Sequence, residues 1–157
     1  MENTLQISMT KEDLIGKGET PDNQLIMQGT CQICERTIKS KFGIIAHHGF
    51  QRPGDGWQTN SCMGARGLPY EKSRDIIPNA IGYLKLQIEN IKNNIKRIEE
   101  ENLPVSRFKG ESVPSTHLQY ISIRENYFDM QRSQIRAIEM EIERLQKRFD
   151  EWKGVKD

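Results

Sequence analysis

The sequence predicts a mainly α-helical chain: a small β-hairpin zinc module followed by a long antiparallel coiled-coil helical hairpin. Three observations lead there. All three cysteines and two of the three histidines fall within residues 31–62. In two later stretches, Ile77–Ile98 and Phe128–Trp152, apolar residues recur at steps of three and four, the spacing that lines one face of a helix. Hydrophobic residues make up only 35% of the 157, against 29% charged. That is too little apolar material for a thick core, but it suits helices that each bury one narrow stripe.

The head follows from its donor atoms. Cys31-Gln-Ile-Cys34 has the spacing at which a short turn points two thiolates at one ion. His47 and His48 come next, and Cys62 closes the set. Three cysteines and one histidine make a closed structural zinc site. The polar, glycine-rich run between Gly49 and Ser61 buries too little to order itself, and a metal would pin both its ends. A Cys-x2-Cys before a hairpin with a third cysteine after it is a ribbon or treble-clef-like construction.

Rival uses of the cysteines are a disulfide, buried free thiols and a redox pair. The opening residues MENTLQISMTKED have neither the basic flank nor the apolar core of a secretory leader. A reducing cytoplasmic setting is therefore expected, where close cysteines favour metal over disulfide. A redox Cys-x2-Cys would sit in a βαβ pattern, and none surrounds this one. Only one of His47 and His48 is expected to ligate, because neighbours on a strand point to opposite faces. The sequence leaves the choice between them open.

Taken in order, residues 1–30 form an N-terminal segment of partly irregular structure. Thr10–Asp13 can cap a short helix over Leu14 and Ile15, after which Gly16, Gly18, Pro21 and Asn23 break any regular element. Leu25–Met27 reads as a short strand. The metal-binding module spans 31–74. Within it Arg36–Ser40 and Ile44–His47 read as strands joined through Lys41-Phe42-Gly43, and Gly49–Gly56 reads as loop. Trp57 follows as a packing lid.

The first long helix is expected over 75–103, with Asp75 as its cap and Pro78 in the first turn, where a missing N–H is tolerated. Its seam runs Ile77, Ile81, Leu84, Ile88, Ile91, Ile95, Ile98. Residues 104–121 are a connector too long for a tight turn. Ser122-Ile-Arg-Glu125 is a capping box that would start the second helix, 122–153. Its seam holds Phe128, Ile135, Ile138, Ile142, Leu145, Phe149 and Trp152, and Gly154 follows as a stop. Asn102 and Gln131 fall toward the tip as polar seam positions, which cost stability and set register.

Charge separates the function classes only weakly. The formal net charge is +1, so no strong field draws the whole chain to nucleic acid or membrane. Residues 1–30 carry a net of −3 and residues 31–75 a net of +3. No apolar run approaches the ~18 residues of a transmembrane helix.

The run from Cys31 to Asp75, above all IAHHGFQRPGDGWQTNSCMGARGLPYEKSRD, resembles a group of small, mostly uncharacterised proteins encoded by bacteriophages, prophages and plasmids. They share a Cys-x2-Cys, a His-His-Gly, an Arg-Pro-Gly-x-Gly-Trp-Gln-Thr, a Ser-Cys and a Pro-Tyr-Glu segment. The resemblance implies a metal site, a mobile-element origin and a bacterial host cell. It brings no activity and does not reach the helices.

The expected function is a non-enzymatic interaction protein that binds a host or phage protein, or pairs with itself, through the helical arm. Inhibition of a host defence system is one such use. The alternative is nucleic-acid binding by Arg36, Lys39, Lys41, Arg52 and Arg66, with Trp57 or Phe50 stacking on bases. A nuclease of His-Asn-His type, using the histidine pair and Asn60, lacks a second catalytic histidine nearby. His117 lies in the connector.

Overall fold

The structure, a computed structural model, describes residues 26–53, 58–107 and 110–154. The chain divides into two compact units, Met1–Lys72 and Ser73–Asp157. The expected N-terminal helix cap at Thr10–Asp13 and the lid residue Trp57 lie outside the described residues.

In the first unit, β1 (Ile26–Thr30), β2 (Thr37–Lys41) and β3 (Ile44–Ile45) form an antiparallel sheet in the order β1-β2-β3. The β2–β3 turn is tight because Phe42 and Gly43 both take positive φ, 52° and 79°, the twist that matches two flanking strands. Beyond β3 the pairing changes partner. Ile45 N–H donates to Gly67 O and Arg66 N–H to Ile45 O, both at 2.9 Å.

Gly49–Gln51 is not loop but strand β4, paired with β5 (Gln58–Ser61) through Gly49↔Ser61 and Gln51↔Gln58. The turn signals Gly54, Asp55 and Gly56 lie outside the described residues.

Two polar clamps tie the later part of this unit to the first strand. Tyr70 N–H donates to Thr30 O at 2.8 Å, and the Glu71 carboxylate accepts from Thr30 N–H (3.0 and 3.1 Å) and from its hydroxyl. Gly29 lets these segments close up, since a Cβ there would lie 2.5 Å from Pro69 Cβ. Buried Gln32 donates from Nε2 to Leu68 O at 2.9 Å, so its buried side-chain amide finds the partner it requires.

The second unit contains α1 (Ile76–Glu101, 26 residues) and α2 (Tyr120–Asp150, 31 residues). Three contacts give their direction. Arg74, before α1, donates to Phe149 O at the end of α2 (2.7 Å); Asn94 Nδ2 donates to Tyr127 OH (3.1 Å); Tyr120, at the start of α2, donates to Leu103 O (2.6 Å). The helices therefore run antiparallel beside each other. Every apolar seam residue expected from the spacing is buried or half-buried, with Ile77, Phe128 and Leu145 essentially closed off.

The connector carries structure of its own. Strands β6 (Val105–Ser106) and β7 (Ser112–Val113) pair antiparallel and place Val105 and Val113 in a core with Ile98, Tyr120 and Phe128. Asn102, expected on the seam, instead takes left-handed φ and ψ of 48° and 44° and ends α1 there, a role asparagine tolerates.

The helix starts also differ from expectation. Asp75 makes no capping bond to α1; its carboxylate accepts from Ser73 Oγ at 2.5 Å, whose hydroxyl in turn accepts Asp75 N–H. Helix α2 begins at Tyr120, upstream of the Ser122 capping box, because Tyr120 is drawn into the tip core. At the other end Arg74 stacks 3.9 Å from the Phe149 ring centroid and 5.3 Å from that of Trp152, which lies just past α2. Its charge meets the free carbonyls of a helix C-terminus.

Candidate metal centre

The turn after β1 aims Cys31 and Cys34 inward. Cys31 N–H donates to Arg36 O (2.9 Å), Glu35 N–H to Cys31 O (3.2 Å), and Ile33 N–H to Cys31 Sγ (3.4 Å). A second turn repeats the construction at Cys62, where Ala65 N–H donates to Cys62 O at 3.0 Å. In both, the residue four beyond the first cysteine leaves through positive φ: Glu35 and Arg66, each at 63°. The second turn has Ala65 where the first has Cys34, so it offers one thiol rather than two. The remaining donor comes from the segment between β3 and β4.

That donor is His48. Its Nδ1 lies 2.9 Å from Ala46 O, and its Nε2 lies 3.4 Å from Cys34 Sγ. A carbonyl only accepts, so Nδ1 carries the proton and Nε2 presents its lone pair, the arrangement that orients a ligating imidazole. His47, one residue earlier, turns to the other side and places Nε2 2.7 Å from Ser61 Oγ. The two histidines are thus separated by the alternation of an extended chain.

Cys31, Cys34, His48 and Cys62 come together with all four donor atoms within 4.8 Å of one another, and they could hold a metal ion. Cys31 and Cys62 Sγ are 3.7 Å apart, and all three cysteines are free of disulfides and buried. Gly64 makes room for the cluster, since a Cβ on it would run into Cys31 Sγ.

The sulfurs do not behave alike. Hydrogen bonds from the Cys31 and then the Cys62 thiol hold Cys34 far below the ordinary thiol value, helped by the backbone and guanidinium of Arg36. Bonds to Cys31 and Cys34, together with burial, push Cys62 far above it, and the bond to Cys34 also raises Cys31. Thiols this close and this buried resist ionising together, and a cation among them would offset that cost.

The residues proposed from sequence for binding have different fates. Arg36 is half-buried and committed internally, donating from Nη1 to Gln51 Oε1 at 3.0 Å and from Nη2 to Gly49 O. It braces β4 against the first cysteine turn. Lys39, Lys41, Arg52 and Arg66 are exposed. The packing role of Gly64 and the Thr30–Glu71 clamp did not stand out in the sequence, whereas Ser61–Arg66 reads there as the start of a short helical turn and does form a turn after Cys62.

No protein-family model matches this chain, and no curated protein or solved structure matches it.

Proposed function

We propose that this is a zinc-ordered, non-enzymatic interaction protein whose coiled-coil arm docks a protein partner. The observation that carries the reading is the four-donor cluster. Sulfurs about 2.3 Å and an imidazole nitrogen about 2.0–2.1 Å from one tetrahedral zinc stand about 3.5–3.8 Å apart. The Cys31–Cys62 and Cys34–His48 separations of 3.7 and 3.4 Å fit that tetrahedron. Cys31, Cys34, His48 and Cys62 would hold the ion, and its charge would compensate the three thiolates. With every position taken by protein, no site remains for an activated water, so the role is structural.

Support for the arm as the docking element comes from what it leaves uncovered. Tyr83, Leu86, Met130 and Met140 are exposed apolar side chains on α1 and α2, beyond the seam the two helices share. Among the described residues no helix is long and apolar enough to cross a membrane. On the resemblance carried by residues 31–75, the partner is a host or phage protein, a host defence complex among them.

The test has two parts. Elemental analysis of the purified chain should give one zinc per molecule. Cross-linked capture from a bacterial lysate should recover a protein with the wild type and lose it with Leu86→Glu plus Met140→Glu. A strict monomer in sedimentation that captures nothing with either form would end this reading.

A further inference from the structure

The β2–β3 turn presents features that neither the metal cluster nor the arm uses. Phe42 is 70% exposed at φ 52°, a conformation that suits glycine or asparagine and is rare for a bulky side chain. An aromatic kept in a strained, solvent-facing turn is an outlier that points to a use. Lys41 Nζ lies 5.4 Å from its ring centroid. Lys72 reaches the same turn, its Nζ 3.6 Å from where a Cβ on Gly43 would sit.

Strand β2 extends this patch. Lys39 and Lys41 are both exposed, with buried Ser40 between them, so they share the open side of the strand about 6–7 Å apart along it. Lys39 stands opposite Gln28, and Lys41 opposite Ile26 on one side and Ile44 on the other, so none of these cross-strand neighbours is acidic. Among the described residues Lys39, Lys41 and Lys72 form no ion pair. The described acids of this unit lie elsewhere: Glu71 is held by Thr30, and Glu35 precedes the opposite end of β2. Like charges on one strand face without counter-charge repel, and an anionic partner relieves that.

We propose that this turn and strand bind a single strand of nucleic acid, with Lys39, Lys41 and Lys72 on successive phosphates and Phe42 stacked on a base. The spacing of the two strand lysines follows an extended phosphate backbone. An exposed ring beside cations is the platform on which bases stack irrespective of sequence. A membrane surface fits less well, because the strand face beside the ring interleaves exposed Ile44 with Lys39, Lys41 and Gln28 rather than forming a continuous apolar face. This inference concerns the metal module and stands independently of what the arm binds.

Fluorescence anisotropy of the full-length, zinc-loaded chain tests it. The probes are labelled oligo(dT), oligo(rU) and a DNA duplex over a series of salt concentrations, with phosphatidylcholine–phosphatidylserine vesicles as a parallel arm. Affinity for the single strands should fall with salt at a log–log slope of about −2, as expected for about three phosphate contacts at −0.7 each. Phe42→Asn removes the ring while favouring the turn, so lost binding would not reflect unfolding. It should weaken single-strand binding about tenfold and leave the slope unchanged. Lys41→Gln should flatten the slope by about 0.7. A difference between oligo(dT) and oligo(rU) tells which strand is preferred. No binding at low salt, an unaltered affinity in Phe42→Asn, or binding to vesicles but not to oligonucleotides would overturn the proposal.

Discussion

The two units of this chain hold themselves together by different means. In the unit that carries the cysteine cluster, the buried set is a mixture of sulfur, Gln32, Ile33 and Ile45. Its order rests on turn hydrogen bonds and four converging donors. In the helical unit the buried set is apolar, repeats with the helix, and is closed at the tip by Val105 and Val113. One region depends on a few atoms at fixed positions. The other sums many interchangeable contacts, so the two should respond differently to the same kind of damage.

The sharpest contrast lies between adjacent residues. His48→Ala should remove a donor and lower metal affinity by more than the roughly 10–100-fold that loss of an outer-shell partner costs. His47→Ala removes only a bond to Ser61 Oγ and should leave affinity nearly unchanged. Competition with a chromophoric chelator reads both, and equal losses would place the donor set elsewhere.

Next in size is a truncation in the helical unit. Phe128 is fully buried in the tip core, and Phe128→Ala should cost about 3–5 kcal/mol. Urea denaturation followed by helical circular dichroism measures it, while chelator competition by the cluster should not change.

A smaller effect is expected at Gly64. Adding one methyl there crowds Cys31 Sγ, and Gly64→Ala should destabilise the module by about 1–3 kcal/mol with faster metal release to chelator. The smallest effect has the opposite sign. Gly82 lies inside α1 with open space where a Cβ would go, so Gly82→Ala should stabilise the helical unit by about 0.5–1 kcal/mol. A loss of stability there would mean the site is covered.

The difference between the regions also explains what was legible in the sequence. The helical seams could be read residue by residue, because each apolar position repeats a period that burial then uses. The cysteine spacing could be read because thiolates near one ion have little freedom. Between His47 and His48 the sequence was silent, since the choice depends on which ring reaches Ala46 O and which reaches Ser61. The β4–β5 and β6–β7 pairs were missed because two- to four-residue strands are too short to show alternation. The capping signals at Asp75 and Ser122 misled because tertiary contacts, Ser73 at one start and the Tyr120 core at the other, outweighed a local preference.

Hydrogen exchange read by mass spectrometry, before and after chelation of the full-length chain, tests the central claim most directly. The account predicts that peptides from the cysteine turns and strands β1–β5 lose protection while those from α1 and α2 keep it, and that added zinc restores the first set. Unchanged protection around Cys31, His48 and Cys62 in excess chelator would contradict it.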